Sequence, residues 1–192
     1  WIHAASVGEF NAASPLIRAL LKSHPEIPLM ITTLTPTGSQ RVRHNLGDKV
    51  AHSYIPIDLP GAVRRFLKRL QPRLIIVMET EIWPNLYLQS NRLDIPLIMA
   101  NARLSKRYVA HFQLIPGFVG EILQTVDWIG AQSDADAGRL ASCGANPQRI
   151  GMTGNLKFDL SVSASLGEKA DALRLRWGRN RPVLVAGSTH EA

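Results

Sequence analysis

The chain has 192 residues, which is the length of one large domain or of two small ones. A hydrophobic fraction of 45% allows a buried core, and a charged fraction of 19% is too ordinary for a disordered chain. Lysine and arginine number 22 against 15 aspartates and glutamates, so the net charge of +7 favours anionic partners. The single cysteine excludes an intrachain disulfide, and no apolar run reaches the roughly 18 residues of a membrane-spanning helix.

Short apolar runs of strand length recur along the chain, at residues 2–5, 29–33, 50–55, 74–78, 97–100, 128–131 and 150–153. Helical periodicity fills most of the intervals, at residues 15–21, 62–70, 83–93 and 133–143. This alternation predicts a Rossmann-like α/β domain over residues 1–160, with a parallel sheet that has helices on both faces. Ligands of such sheets bind beyond the carboxyl ends of the strands, so the loops there form the candidate site.

The last part of the chain differs in composition. Residues 161–181 open with three alternate serines and continue into a short helical pattern at 168–177, which predicts a linker. The apolar run 182–186 predicts the first strand of a second α/β domain, of which residues 182–192 are only the start. Together with the apolar start at Trp1, this predicts a piece of a longer protein.

The first candidate loop, residues 6–10, contains Gly8 and Glu9 ahead of a helical stretch. Glycine lets the backbone approach a ligand closely. A glutamate here can simply complement the helix dipole. It can equally act as a general base that accepts a proton from a substrate hydroxyl, and the spacing leaves both interpretations open.

Two carboxylates, Glu79 and Glu81, follow the fourth apolar run. In an extended chain they share one face, and they repel each other unless a cation, a hydroxyl or a raised pKa compensates. This pattern favours a site role for at least one of them. A metal pair is disfavoured, because no histidine or third acid lies nearby in the sequence.

Two further loops put cations beyond strand ends: Arg103 after the fifth run, and Asn155 with Lys157 after the seventh. Each is a candidate for substrate binding or a capped turn with a solvated cation. Residues 35–39 are interpreted as a helix N-cap with proline in the first turn, rather than a phosphate loop. Neither a Walker motif nor a Gly-x-Gly-x-x-Gly motif occurs.

The helical pattern at 62–70 carries a basic face, formed by Arg64, Arg65, Lys68 and Arg69. This face is either a solvated exterior or a patch for an anionic membrane surface. A nucleic-acid partner is disfavoured, because the basic residues are not interleaved with exposed aromatics. A non-catalytic domain that binds an anionic sugar or nucleotide remains the alternative to an enzyme.

Six motifs carry a resemblance to a known family: WIHAASVGE (1–9), TLTPTG (33–38), METEIWPN (78–85), NARLS (101–105), TGNLKFD (153–159) and AGSTHE (186–191). In this order they resemble the 3-deoxy-D-manno-octulosonic acid (Kdo) transferases of lipopolysaccharide synthesis. The resemblance implies the N-terminal, acceptor-side half of a GT-B glycosyltransferase, with a membrane anchor before Trp1 and a nucleotide-binding domain after Ala192. It places the enzyme at the cytoplasmic face of the inner membrane of a Gram-negative bacterium, and half an enzyme is expected to be inactive alone.

The resemblance also implies an inverting transfer of Kdo from CMP-Kdo to a lipid A precursor, with no metal and no cofactor. Glu9 matches the proposed general base of the family. The transferred sugar carries a carboxylate, for which Lys157 is the first candidate cation and Arg103 the second. The remaining implied site residues are Gly8, Glu79, Glu81 and Asn155 for substrate, and Ser188, Thr189 and His190 for the donor. Glu79 and Glu81 would orient acceptor or donor hydroxyls, or hold Lys157 in place.

Overall fold

The computed structural model describes residues 1–112, 114–159, 164–178 and 180–186. Ser188, Thr189 and His190 therefore lie outside the described residues. Within them the chain forms one sheet of seven parallel strands in the order β3-β2-β1-β4-β5-β6-β7. The strands are β1 (Ile2–His3), β2 (Met30–Thr33), β3 (Ala51–Tyr54), β4 (Ile75–Met78), β5 (Leu97–Ala102), β6 (Trp128–Ala131) and β7 (Ile150–Met152).

All seven predicted strands are present, and the predicted parallel α/β fold is confirmed. The central strands are apolar on both faces because helices cover both. In β4, Ile75 and Val77 pack on one face, while Ile76 and Met78 pack on the other. The edge strand β3 is an exception, since all its side chains are at least partly exposed.

Eight α-helices accompany the strands in the described part of the chain. They are α1 (Val7–Ser23), α2 (Pro36–Leu46), α3 (Pro60–Leu70), α4 (Pro84–Arg92), α5 (Lys106–Phe112), α6 (Pro116–Gln124), α7 (Asp134–Ser142) and α8 (Ala164–Trp177). Buried residues of α1 and α2 pack on one face of the sheet. Those of α3, α4, α6 and α7 pack on the other.

The first helix begins eight residues earlier than the periodicity predicts. Pro15 looks like a helix start, yet it lies inside α1. The actual start is capped by Ser6, whose hydroxyl accepts the Glu9 backbone N–H at 3.3 Å. Gly8 and Glu9, which were predicted in a loop, therefore lie in the first helical turn.

The structure differs from the sequence prediction at three further places and agrees with it at a fourth. Helices α5 and α6 were not predicted, and the linker helix begins at Ala164 rather than at 168. Residues 182–186 form no strand, because no other strand among the described residues supplies ladder hydrogen bonds to them. The N-cap at Thr35 is confirmed, since its hydroxyl accepts the Gly38 N–H at 3.1 Å.

The chain divides into two compact units, Trp1–Leu160 and Ser161–Ala192. The first contains the sheet and helices α1–α7, and the second contains α8. Every candidate site residue that the structure describes belongs to the first unit.

Gly144, directly after α7, gives a stability test of this packing. It has φ +103°, and an added Cβ would lie 2.6 Å from the Gly120 Cα of α6. We expect Gly144→Ala to lower the free energy of unfolding by roughly 2–4 kcal/mol, from left-handed backbone strain plus overpacking. Chemical denaturation of the chain measures this change.

Gly138 provides the matched control, because it lies inside α7 itself with no atom within 4 Å of an added Cβ. Gly138→Ala should stabilise by roughly 0.5–1 kcal/mol through helix propensity. Equal effects of the two substitutions would contradict the close α6–α7 contact.

Candidate functional site

The candidate site lies where the strand order changes direction. Strands β1 and β4 are neighbours in the sheet although 71 residues of chain separate them, and the sequence runs outward from them to both edges. In an open α/β sheet this switch point leaves a crevice at the carboxyl ends of the strands. Glu9 follows β1 there, and Glu79 and Glu81 follow β4. Three carboxylates therefore meet at one place in the fold.

Glu9 is held by its own helix start. Its Oε2 accepts the Ala5 backbone N–H at 2.7 Å, and its Oε1 accepts the Ser6 hydroxyl at 2.9 Å. Since Ser6 also accepts the Glu9 N–H, the two residues form a variant of the capping box in which Glu9 accepts the N–H of Ala5 rather than that of Ser6. The carboxylate thus has a defined orientation, and Glu9 as a whole residue is only 8% exposed.

The pKa of Glu9 is raised to about 7, mainly by burial and to a smaller extent by the charges of Glu81 and Glu79, against the hydrogen bonds from Ser6 and Ala5, which lower it. A carboxylate with a pKa near neutrality can both accept and release a proton at physiological pH. The capping contacts and the raised pKa coexist, so the structural and the catalytic interpretation of Glu9 are compatible.

Glu79 is paired with the cation that follows β7. The Lys157 Nζ lies 3.8 Å from the Glu79 Oε1, and both side chains are partly exposed. The expectation that Glu79 and Glu81 share a face of extended chain is wrong, because β4 ends at Met78 and Glu79 has φ +56°. This left-handed residue turns the chain immediately after the strand.

Glu81 has no cation of its own among the described residues. Burial raises the pKa of its carboxyl, and the charge of Glu79 adds to the effect. The Trp83 indole N–H favours the charged form of Glu81, although its geometry falls short of a hydrogen bond. The Glu81 backbone carbonyl accepts the buried Tyr87 hydroxyl at 2.8 Å, which fixes this loop against α4.

A buried polar network beneath the site was not found from the sequence. The Thr32 hydroxyl accepts the Trp1 indole N–H at 2.8 Å and is hydrogen bonded to the His3 Nδ1 at 2.9 Å. The His3 ring stacks edge-on against Trp83, with centroids 5.6 Å apart. Burial lowers the pKa of His3 to about 4, so this ring is neutral at physiological pH. The signal in the sequence was a histidine inside a predicted strand.

The other candidate residues lie around this centre. Asn155 Oδ1 accepts the Lys157 N–H at 3.0 Å and so shapes a 3₁₀ turn (Leu156–Asp159), hereafter the Lys157 turn. The Arg103 side chain is exposed, and its backbone N–H and carbonyl are both bonded to the Thr80 hydroxyl of the Glu79 loop. Gly8 is exposed, and an added Cβ would meet only the Ser6 Oγ, at 3.7 Å.

The described ranges contain no group of three or more His, Cys, Asp or Glu side chains placed to bind a metal ion. In the same ranges no helix has both the length and the hydropathy needed to span a membrane. The polar chemistry at the switch point is therefore carried by three carboxylates, one lysine and one nearby arginine.

Comparison with known proteins gives a family match over the first unit. A family model described as 3-deoxy-D-manno-octulosonic-acid transferase (kdotransferase) matches residues 1–160. The 3-deoxy-D-manno-octulosonic acid transferase of Haemophilus influenzae is 44% identical over 190 residues, which are 99% of this chain and 44% of that protein. The Bordetella pertussis transferase is 35% identical over all of this chain and 44% of its own length. The chain thus spans less than half of these relatives.

Solved structures with the same fold have low sequence identity. A UDP-GlcNAc 2-epimerase from Neisseria meningitidis superposes with a TM-score of 0.60 at 15% identity, covering 91% of this chain and 50% of the other. The enzyme from Methanocaldococcus jannaschii has a TM-score of 0.58 at 17% identity, covering 80% and 45%. At these identities the likeness supports the Rossmann-like fold alone.

Glu9 should leave a pH signature in stability. Its folded pKa of about 7 exceeds the ordinary value of 4.5, so the folded state loses stability as pH rises from 4.5 to 7. Glu9→Gln removes this cost and keeps an acceptor for the Ala5 N–H. We therefore compare the free energy of unfolding of the variant with that of the wild type at two pH values. The difference, variant minus wild type, should be roughly 1–3 kcal/mol larger at pH 8 than at pH 4.5. Urea denaturation at both pH values measures the difference, and a difference independent of pH would contradict the raised pKa.

Proposed function

This chain belongs to the Kdo transferase family, and from that premise we propose that it is the acceptor-side domain of an inverting glycosyltransferase. The enzyme transfers Kdo from CMP-Kdo to a hydroxyl of a lipid A precursor in lipopolysaccharide synthesis. The chain forms the N-terminal half of a GT-B enzyme, and the other half binds the nucleotide. Ser188, Thr189 and His190 contribute to donor binding at the start of that second domain, after the 161–181 linker.

The geometry of Glu9 is the single observation that carries the proposal. An acceptor hydroxyl is a weak nucleophile until its proton is removed, and the remover must be an oriented base of suitable pKa. Glu9 lies at the switch point, its two oxygens are oriented by Ser6 and Ala5, and burial raises its pKa to about 7. Those are the properties that a general base requires.

In the proposed step the acceptor O–H proton moves to Glu9 as the acceptor oxygen bonds to the anomeric carbon of Kdo. The bond from that carbon to the CMP phosphate oxygen breaks, and CMP leaves with the electron pair. Attack from the side opposite the leaving group inverts the anomeric centre. Glu9 then returns the proton to solvent.

The carboxylate of Kdo needs a cation, and Lys157 is our first candidate for it. Its contact with Glu79 is long at 3.8 Å, and both groups are partly exposed, so an incoming carboxylate can compete for the ammonium. Arg103 is the second candidate, with an exposed guanidinium and a backbone tied to the Glu79 loop. Such cations also stabilise developing negative charge, so the proposed step uses no metal and no cofactor.

Replacement of Glu9 tests this proposal in the full-length enzyme. We expect Glu9→Gln to lower kcat by roughly 10²–10⁴, the usual effect of losing a general base. In the wild type, kcat/KM should fall as pH drops through about 7, and the variant should lose this dependence. Steady-state kinetics with CMP-Kdo and a lipid A precursor between pH 5 and 9 measure both.

Glu26→Gln is the matched control, because Glu26 is exposed and precedes β2, at the amino ends of the strands and away from the candidate site. It should leave kcat and the pH profile unchanged. If Glu9→Gln keeps the wild-type kcat and alters only stability, then Glu9 is a helix cap and the base lies elsewhere.

Two surfaces favour an anionic membrane as a partner at the cytoplasmic face of the inner membrane. Arg64, Arg65, Lys68 and Arg69 are all exposed on α3. Between α5 and α6, Leu114 is 78% exposed and Ile115 is 54% exposed. Basic and apolar groups together are the composition of surfaces that bind anionic lipid.

The basic face of α3 gives a prediction about membrane binding. Each basic residue near an anionic surface contributes about 1 kcal/mol, and salt screens this contribution. Arg64→Glu with Lys68→Glu should therefore weaken vesicle binding at least about tenfold at low salt, with turnover on detergent-dispersed acceptor unchanged. Sedimentation with phosphatidylglycerol-containing vesicles at two salt concentrations measures the effect.

Arg18→Glu with Lys22→Glu is the matched control. Both residues are exposed on α1, which packs on the opposite face of the sheet, and they have the same spacing of four residues. The charge change is the same, so only the location differs. Equal loss of binding in both double variants would show a general charge effect, and no loss in either would return α3 to a solvated exterior.

A further inference from the structure

We propose that Asn101 is a positioning residue that holds Lys157 at the switch point. Asn101 belongs to the loop motif after β5, in which only Arg103 was singled out from the sequence. This inference rests on the function proposed for the switch point. Asn101 would act on that site through Lys157 and would not touch the substrate.

The backbone of β5 is irregular at Asn101. Met99 and Ala102 pack on the same face of the sheet although they are three residues apart, and the register with β6 shifts between them. Regular alternation would put residues two apart on one face, so one extra residue is inserted here. Asn101 also has φ +57°, a conformation that asparagine tolerates better than most residues.

The irregularity redirects the Asn101 side chain toward the Lys157 turn. Its Oδ1 accepts the Leu156 backbone N–H at 3.0 Å, and Leu156 packs on the face opposite to Met99 and Ala102. The Asn101 backbone carbonyl accepts the Gln132 side-chain amide at 3.0 Å. A partly buried hydrogen bond therefore ties the residue before Lys157 to β5.

The Asn101–Leu156 hydrogen bond helps to explain how Lys157 comes close to Glu79. Lys157 follows β7, which lies three strands away from β4 in the sheet order. Three strand spacings amount to roughly 14 Å. The Lys157 Nζ nevertheless lies 3.8 Å from the Glu79 Oε1, because the chain turns back across the sheet after β7. The Asn101–Leu156 hydrogen bond attaches the returning segment, the Lys157 turn, to β5.

The Asn101 amide has a further unusual property. The residue is 1% exposed, and its Nδ2 has no hydrogen-bond partner among the described residues. Buried unpaired groups are uncommon and need an explanation, and a place beside a ligand-binding edge supplies one.

A double-mutant cycle in the full-length enzyme tests the proposal. Asn101→Gly removes the acceptor and suits the positive φ, and Lys157→Met removes the ammonium. We expect each single variant to lower kcat/KM for the donor by about tenfold or more, and the double variant to equal Lys157→Met within about threefold. If the loss of kcat/KM in the double variant equals the product of the two single losses, Asn101 acts independently of Lys157. That result would overturn the proposal.

Asp94→Gly is the matched control for the loss of a left-handed side chain. Asp94 has φ +52° and is exposed just before β5. It lies at the amino ends of the strands, whereas Lys157 follows a carboxyl end. This variant should keep the wild-type kcat/KM. The effect of Asp94→Gly on kcat/KM should also be the same with and without Lys157→Met. If the two substitutions are coupled, the double-mutant cycle reports a general change in stability.

Hydrogen exchange supplies a readout that does not depend on activity. In the full-length enzyme, Asn101→Gly should speed exchange in the peptide covering residues 153–159 by about tenfold, with residues 75–78 unchanged. Asn101→Asp keeps an acceptor and should restore protection. Unchanged exchange in Asn101→Gly would refute the anchor. If wild-type enzyme transfers no Kdo, the proposed function fails while the exchange result still decides the role of Asn101.

Discussion

The arrangement of this site depends on one constraint, the confinement of three carboxylates to the switch point of a parallel sheet. Charges this close destabilise one another unless each is compensated. The structure compensates each differently: Glu9 receives two hydrogen bonds at its helix start, Glu79 faces Lys157, and Glu81 lies near the Trp83 indole. The compensation is unequal: burial is the main cause that raises the pKa of Glu9 to about 7, whereas the Glu79 carboxylate lies beside an ammonium group.

Most of the fold was predictable because its signals are local. Strand-length apolar runs and helical periodicity are read within windows of about ten residues, and all seven strands follow from them. The errors arise where a local signal has two meanings. Pro15 marks a helix start in most contexts, yet here it lies inside α1 because the Ser6–Glu9 capping box begins the helix earlier. Residues 182–186 have strand composition, but a strand also requires a partner for its backbone.

The site was predictable in part, for a related reason. Position after a strand end is a local property, and it selected Glu9, Glu79 and Lys157 as candidates, which the structure brings to one end of the sheet. The role that the geometry assigns to Asn101 depends on a bond across 55 residues and on an extra residue in β5, neither of which periodicity reveals. One signal was available: asparagine at a strand end is a frequent choice for positive φ, and it can mark a backbone irregularity as well as a turn.

The buried polar side-chain atoms that the described fold leaves unpaired lie on the strands or directly after one of them. Buried nitrogen atoms without partners occur in His3, His52, Trp83 and Asn101, which lie on strands or in the loop after β4, and none lies in a helix. Each such group reduces stability by about 1–3 kcal/mol, and the raised pKa of Glu9 adds a similar cost at neutral pH. The two apolar faces of the sheet offset these costs. A domain selected for stability alone would pair or remove such groups, and His3, Trp83 and Asn101 lie on or directly after the strands that carry the candidate site.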